Sequence, residues 1–153
     1  RLTLYYIILI VFFSCNSNVV FEEYKTLNNN QWHTDSIITF NYPSIDTTLD
    51  YKIILKIRHD VNYKYRNLFL FTETKNTKDT LEIYLCDKKG KWHGKGVSNI
   101  REVNIDITGI NDKSIIKSKQ LKIEQAMRYG KKEKILNLNH INHIGITILK
   151  NHE

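Results

Sequence analysis

The stretch YKIILKIR, residues 51–58, decides the fold because an apolar residue recurs at every second position. Successive side chains of an extended chain point to opposite faces. The apolar side chains at positions 51, 53, 55 and 57 therefore share one face, and Lys52, Lys56 and Arg58 share the other. This period of two predicts a half-buried β-strand over Asp50–Arg58, with one face in a core and one face toward water.

Other segments along the chain carry the same alternation or are rich in β-branched residues. Leu68–Thr74 begins apolar on both faces, which is typical of a central strand. Asp87-Lys88-Lys89-Gly90 has the residue types of a tight turn. The remaining predicted strands are Val19–Tyr24, Ile37–Tyr42, Asp79–Cys86, Val103–Ile107, Leu121–Met127 and Ile141–Lys150.

About eight short strands with turns at fairly regular spacing predict an all-β fold, an antiparallel β-sandwich of the jelly-roll or immunoglobulin-like kind. Helical periodicity is nearly absent, although Tyr129–Asn139 could hold one short turn of helix. The chain has 153 residues, without internal repeats, which fits one domain with a sizeable core. We therefore predict a single sandwich domain over residues 19–153.

The first residues predict export from the cytoplasm. Arg1 precedes an apolar run over residues 2–13, which has signal-peptide length and is shorter than the roughly 17–25 residues of a spanning helix. Ser14 then puts a small residue before Cys15, as in the cleavage box of lipoproteins, although Phe12 departs from the usual leucine. The sequence thus predicts a signal peptide over residues 1–14, and a lipidated Cys15 with a short tether over residues 15–18.

The charge pattern indicates a basic, water-facing surface. The formal net charge is +7, and the lysines are scattered among predicted strands and turns, with small clusters at residues 88–91 and 131–134. Scattered charges usually serve solubility, so we expect no nucleic-acid partner, while an anionic membrane surface would attract the domain weakly. Cys86, the cysteine outside the predicted lipidation site, lies in an apolar strand and is expected to be a core residue.

The motifs of common enzymes and metal sites are missing. Gly94-Lys95-Gly96 lacks the spacing of a nucleotide-binding loop, and no serine lies in an elbow motif. His140 and His143 are three residues apart and would point to opposite faces of a strand. Glu73 and Glu82 could be cross-strand neighbours, but surface charge is the simpler interpretation. We predict no catalytic residue, no cofactor and no metal site.

Aromatic residues are numerous, with two tryptophans and nine tyrosines. Such side chains combine apolar area with a polar group, so exposed ones could form a platform for a sugar ring or a protein. The alternative is that Trp32 and Trp92 pack over the ends of the sandwich. Among loops, the one with Trp92, His93 and Lys95 is the best candidate for binding. A carbohydrate-binding sandwich is therefore the second hypothesis for function.

A set of short stretches, in order over almost the whole predicted mature chain, matches a known family. They are Val20–Tyr24, Trp32-His33, Asn67–Thr72, Asp79–Glu82, Gly90–Gly96, Ile100–Glu102, Ile123–Arg128 and Ile144–Ile146. Together they resemble the gliding-motility lipoprotein family GldH of Bacteroidetes. No single stretch is chemically specific, and the ordered set carries the resemblance.

The resemblance implies a lipid-anchored protein of the cell envelope without known catalytic activity. It implies partners among the other envelope proteins of the gliding machinery, which is bound up with type IX secretion. The membrane would be reached through the lipid on Cys15. No early acidic run follows Cys15, of the kind that sends lipoproteins of this phylum to the cell surface, so we expect the domain to face the periplasm.

Overall fold

The computed structural model describes residues 18–109, 112–131 and 133–151. The predicted signal peptide and Cys15 lie outside these residues, as does most of the predicted tether. No helix in the described ranges is both long enough and apolar enough to cross a bilayer.

The regular structure of the described residues consists of twelve strands, one short α-helix and a 3-10 turn at Asn28–Asn30. In chain order the strands and the α-helix are β1 (Val19–Thr26), β2 (Gln31–His33), β3 (Ile38–Asn41), β4 (Tyr51–Asp60), β5 (Asn67–Glu73), β6 (Lys78–Tyr84), β7 (Ile100–Asp106), α1 (Asp112–Ser118), β8 (Gln120–Gln125), β9 (Arg128–Tyr129), β10 (Glu133–Lys134), β11 (Asn137–Asn139) and β12 (Ile141–Lys150). The predicted strands are all present, within a few residues of their predicted bounds.

Eight of these strands form two four-stranded antiparallel sheets. One sheet has the order β1-β12-β4-β7 and the other β3-β8-β5-β6. Counting the eight strands along the chain, the first pairs with the eighth, the second with the seventh, the third with the sixth and the fourth with the fifth. This nested pairing is the jelly-roll arrangement. The all-β sandwich prediction is confirmed, and of its two named forms the structure has the jelly roll.

The alternating stretch that predicted the fold lies at the centre of one sheet. Its apolar residues Tyr51, Ile53, Leu55 and Ile57 are all buried between the sheets. The facing sheet contributes β5, an interior strand as predicted, in which every second residue is buried. Burying apolar surface contributes roughly 25 cal/mol per Å², so these two faces supply much of the stability.

The sandwich has two long seams, where an edge strand of one sheet lies beside an edge strand of the other. At the β1/β3 seam, the rings of Phe21 and Tyr42 are 5.5 Å apart and close the core. The Tyr42 hydroxyl also donates to the carbonyl of Ile115 in α1, at 2.6 Å. The opposite seam, between β6 and β7, is open and forms a groove.

The structure differs from the sequence prediction in two segments. Residues 129–139, where a helical turn seemed possible, form a small antiparallel hairpin of β9 and β10 and then β11, which pairs with β2. The helix instead lies at Asp112–Ser118. Glu73 and Glu82 are not cross-strand neighbours, since the register places Glu73 opposite Lys78 and Glu82 opposite Phe69.

Candidate binding site

The two ends of the sandwich differ in character. At one end, here called the proximal end, β1 begins beside the end of β12, and the amide of Lys150 donates to the carbonyl of Asn18 at 2.8 Å. Helix α1 and the β5–β6 turn lie at this end too, joined by a hydroxyl contact of 3.0 Å between Thr74 and Ser114. The opposite, distal end carries the loops at residues 61–66, 85–99 and 126–140. The predicted binding loop is therefore distal.

Aromatic rings cross the distal end in an unbroken series, here called the aromatic ladder. Its centroid separations are 4.8 Å for Trp92–His59, 6.0 Å for His59–Tyr63, 5.6 Å for Tyr63–Tyr65 and 6.4 Å for Tyr65–Tyr129. All four pairs are tilted or edge-on, the geometries that aromatic quadrupoles favour, each contributing about 0.5–1.5 kcal/mol. The ladder joins three loops into one surface.

Hydrogen bonds fix the rings of the ladder in place. Tyr63 donates to the carbonyl of Asn67 at 3.0 Å, and burial raises the pKa of its hydroxyl. Tyr65 donates to the hydroxyl of Tyr129 at 2.9 Å, and burial together with this hydrogen bond raises the pKa of Tyr65 to about 12. Both hydroxyls are therefore protonated at neutral pH.

His59, the second ring of the ladder, is fully buried. Its Nδ1 is 3.0 Å from the carbonyl oxygen of Asp60, whereas its Nε2 has no hydrogen-bond partner among the described residues. Burial lowers the pKa of the imidazole, because the charged form would lose its hydration. A neutral ring is consistent with its contacts to Trp92 and Tyr63.

Basic side chains surround the ladder. The Arg66 guanidinium lies 4.7 Å from the ring centroid of Tyr84, a cation–π contact. The two lysine clusters, which are 40 residues apart in the sequence, both fall at this end, one near Trp92 and one beside Tyr129. Among the described residues, the exposed cations of the distal end are Lys64, Arg66, Lys88, Lys89, Lys91, Lys95, Arg128, Lys131 and Lys134.

The three residues of the predicted binding loop have different surroundings. Trp92 is partly buried and packs against the core beside His59. Its backbone pairs with that of Cys86 in an isolated antiparallel β-bridge, and Cys86 is buried as predicted. His93 and Lys95 are exposed and face the groove of the open seam. Trp92 thus belongs to the ladder, while the other two side chains line the groove beside it.

Trp32 is not part of any exposed platform. Its side chain is fully buried, and its indole N–H donates to the carbonyl of Ser36 at 2.9 Å. Of the two alternatives for the tryptophans, packing within the domain is the correct one for Trp32.

The two glycines of the binding loop have a structural purpose. A Cβ at Gly94 would overlap the carbonyl oxygen of Glu102, and a Cβ at Gly96 would overlap that of Ile100. The missing side chains let Lys95 exchange two backbone hydrogen bonds with Glu102, at 3.2 and 2.8 Å. The glycine-rich segment therefore attaches the loop to the edge of β7.

The groove of the open seam has a volume of about 1370 Å³. Its lining includes apolar side chains from both sheets, Ile83 of β6 with Val103 and Ile105 of β7. Asn142 and His143 also line it, and in the described structure their Oδ1 and Nδ1 atoms are buried without hydrogen-bond partners. The groove opens toward the distal end through His93 and Lys95.

A polar network covers the outer face of the β1-β12-β4-β7 sheet next to the groove. Glu102 accepts hydrogen bonds from Arg58 Nε at 2.6 Å and from the Tyr24 hydroxyl at 3.0 Å. The Arg58 guanidinium also stacks 4.2 Å from the Tyr24 ring centroid. The Arg58–Glu102 ion pair and its Tyr24 contacts therefore join β1, β4 and β7 on this face of the sheet.

Across residues 18–109, 112–131 and 133–151, no three His, Cys, Asp or Glu side chains converge in a way that could hold a metal ion. Sequence reasoning identified Trp92 but missed His59, Tyr63, Tyr65 and Tyr129. The run Tyr63-Lys64-Tyr65-Arg66, which alternates aromatic and basic residues, is the signal that could have pointed to this end.

Taken together, the fold and this end define a jelly-roll domain with an aromatic and basic candidate binding surface. Comparison with known proteins matches residues 19–148 to the family described as GldH lipoprotein. A protein of Christiangramia forsetii named gliding motility lipoprotein GldH homolog is 33% identical over 156 aligned residues, covering 93% of this chain and 90% of the relative. The chain belongs to the GldH lipoprotein family.

Two further similarities are weaker or shorter. Gliding motility lipoprotein GldH of Flavobacterium johnsoniae is 39% identical over 98 residues, which is 61% of each chain. Among solved structures, the coat protein of Tobacco streak virus is similar over 86% of both chains, with 9% identity and a TM-score of 0.29, too low to relate the two folds.

Proposed function

We propose that this protein is a non-enzymatic, lipid-anchored component of the gliding-motility and type IX secretion machinery, and that it works by binding other envelope proteins. The names of the two relatives support the motility role. The observation that carries the interaction role is the distal end, where a fixed series of aromatic rings lies among exposed cations. Aromatic and basic side chains of this kind are enriched at protein interfaces.

The proposed anchor is a diacylglycerol on Cys15, after removal of residues 1–14. Cys15 and Asn18 are three positions apart, so the tether spans at most about 11 Å. Two or more acyl chains hold a protein stably in a bilayer, at about 0.8 kcal/mol per buried CH₂. The proximal end then lies close to the membrane, and the domain as a whole is in the periplasm. There it meets its partners at a high local concentration.

Cys15→Ser tests the anchor. In mass spectrometry of the intact chain, the expected result is a wild type that begins at Cys15 and carries the mass of the acyl chains, and a Cys15→Ser variant that keeps Arg1 and carries no lipid. Cys86→Ser is the matched control, because that thiol is buried in the domain. A wild-type chain that keeps Arg1, or that lacks the mass of the acyl chains, would exclude the lipid anchor.

A clean deletion in the native organism tests the role. We expect loss of gliding together with reduced secretion through the type IX system, both restored by the wild-type gene. A deletion strain that glides and secretes normally would contradict the proposal.

Carbohydrate binding is the second candidate, and the partly buried Trp92 beside exposed His93 and Lys95 favours it. On this alternative, a glycan array would show a ligand that Trp92→Ala abolishes and Leu49→Ala retains, since the exposed Leu49 lies at the proximal end. An array without a bound glycan would remove this alternative.

A further inference from the structure

We propose that the distal end docks an acidic segment of a partner protein, with the aromatic ladder as the apolar centre of the contact and the surrounding cations as its rim. The proposal rests on the proposed function for the orientation of the domain, and it deepens that function by assigning the surface and the chemistry of the partner.

The charge at the distal end is unbalanced. Lys88, Lys89 and Lys91 are exposed on one side of the ladder, and Lys131 and Lys134 are exposed on the other. The acidic residues of the same two segments, Asp87 and Glu133, offset only two of these five charges. An acidic partner would be attracted to this end and oriented on it.

The proximal end is more nearly balanced. Lys52 pairs with Asp106 at 3.4 Å, and Glu73 lies 3.6 Å from Lys78 and 3.5 Å from Lys122. Exposed lysines at positions 75, 117 and 119 add positive charge there, but the carboxylates at positions 46, 50 and 79 lie at the same end. The excess of positive charge is therefore larger at the end that carries the aromatic ladder. This coincidence favours a binding surface over a general solubilising charge.

The anchoring bilayer does not explain the basic end. Strand β12 runs the length of the sandwich with ten residues, so it separates the two ends by roughly 33 Å. Charge interactions in water decay within about 8 Å at physiological ionic strength. For a domain upright on the proposed tether, anionic lipids of the membrane that holds Cys15 are therefore out of reach, and the ligand comes from elsewhere in the envelope.

The ladder gives the surface a centre that charge alone would lack. Tyr129, with 59% of its surface exposed, stands at one end, and Trp92 stands partly exposed at the other. The buried His59 and Tyr63 support these outer rings from below. Rigid aromatic residues bind with a small loss of conformational entropy, so a protein segment can gain both apolar contact and ion pairs here.

Site-specific photocrosslinking in living cells tests the proposal with the full-length protein. A benzophenone amino acid replaces Lys89 or Tyr129 at the distal end, or Lys117 at the proximal end as control. We expect protein adducts at least about fivefold more abundant from the distal positions, mapping to a segment of the partner rich in Asp and Glu. Absence of distal adducts, adducts with lipid, or a crosslinked segment without acidic residues would overturn the proposal.

Charge reversal provides the second measurement. The triple variant Lys88→Glu, Lys89→Glu and Lys91→Glu should reduce crosslinking from position 129 by about tenfold. The matched variant Lys75→Glu, Lys117→Glu and Lys119→Glu changes the net charge by the same amount, but at the proximal end. It should keep crosslinking within about twofold of the wild-type level. Equal losses in both variants would refute a local docking surface.

Membrane fractionation of the same cells separates this proposal from the proposed function. Distal crosslinks to an acidic segment in a protein that is not membrane-bound would support the docking surface and refute the anchor. Membrane-bound protein without such crosslinks would support the anchor and refute the docking surface.

Discussion

At the residue scale, Gly145 shows how a single missing side chain organises a sheet face. It lies directly opposite Tyr24 in the β1–β12 pairing, and the Tyr24 ring covers it. A Cβ at this position would come within 2.6 Å of the ring. The glycine therefore lets Tyr24 lie flat enough to reach Arg58 and Glu102.

Gly145→Ala should lower the free energy of unfolding by about 1–3 kcal/mol, because the new methyl group overpacks the ring. In a Tyr24→Ala background the same substitution should be neutral or stabilising, since the ring is gone and alanine restricts the unfolded chain. Urea unfolding of the four proteins in this double-mutant cycle measures the coupling. Equal costs in both backgrounds would show that the Tyr24 ring is not the cause.

His59 makes stability depend on pH. Burial keeps its pKa below the ordinary value of 6.5, while the unfolded chain binds a proton near that value. The unfolded state then holds more protons as the pH falls below about 6.5, so stability is lost on acidification. The partly buried His143, whose pKa is lowered by burial and by Arg58, acts with the same sign.

The urea concentration at the midpoint of unfolding should therefore decrease when the pH is lowered from 7.5 to 5.5. His59→Gln should flatten this dependence, because glutamine does not titrate. The exposed His93→Gln serves as control and should leave the slope as in the wild type. A slope that is unchanged in His59→Gln would assign the effect to another group.

At the scale of elements, Gly90 and Gly94 separate two reasons for glycine in one loop. Their φ angles are nearly the same, +82° and +81°, but Gly90 has open space around it while Gly94 meets the backbone of Glu102. Alanine at Gly90 should cost about 1 kcal/mol for the left-handed backbone alone. Alanine at Gly94 adds a clash that should detach the loop from β7.

Hydrogen exchange distinguishes these outcomes. In Gly94→Ala the amide of Glu102 should lose protection, since its acceptor is the Lys95 carbonyl, whereas amides in β12 should stay protected. Gly90→Ala should leave Glu102 protected. Retained protection in both variants would mean that the loop tolerates the added methyl group.

The strands themselves could be predicted, because the alternation of apolar and polar residues shows directly which face of each strand is buried. The period of two in Asp50–Arg58 and the apolar faces of Leu68–Thr74 correspond to buried residues in β4 and β5. Residues 129–139 could not be assigned, since β9, β10 and β11 have only two or three residues each and owe their form to pairing. The aromatic ladder was equally hidden, because its members come together only through tertiary structure.

At the scale of the whole molecule, the two seams of the sandwich contribute unequally to the free energy of unfolding. Tyr42 at the closed seam is 5% exposed, whereas Tyr84 at the open seam is 46% exposed. Tyr42→Ala should cost about 3–5 kcal/mol, because it removes a buried ring and leaves the space beside Phe21 unfilled. Tyr84→Ala should cost about 1 kcal/mol or less, chiefly its contact with Arg66.

Thermal unfolding of the two variants, compared under the same conditions, checks this difference. Similar losses in both would mean that the groove between β6 and β7 is more tightly packed than its open form implies. The sequence could not distinguish the seams, since the nested pairing of strands depends on contacts between residues far apart in the chain.

The direction of β1 has a mechanical consequence if the anchor is as proposed. A pull between the membrane and a distal partner would act along β1, which pairs with β12 through seven residue pairs. Antiparallel hydrogen bonds run perpendicular to their strands, so such a load shears them all at once and does not open them one after another. On that proposal, the jelly roll is oriented to transmit tension between the membrane and its partner.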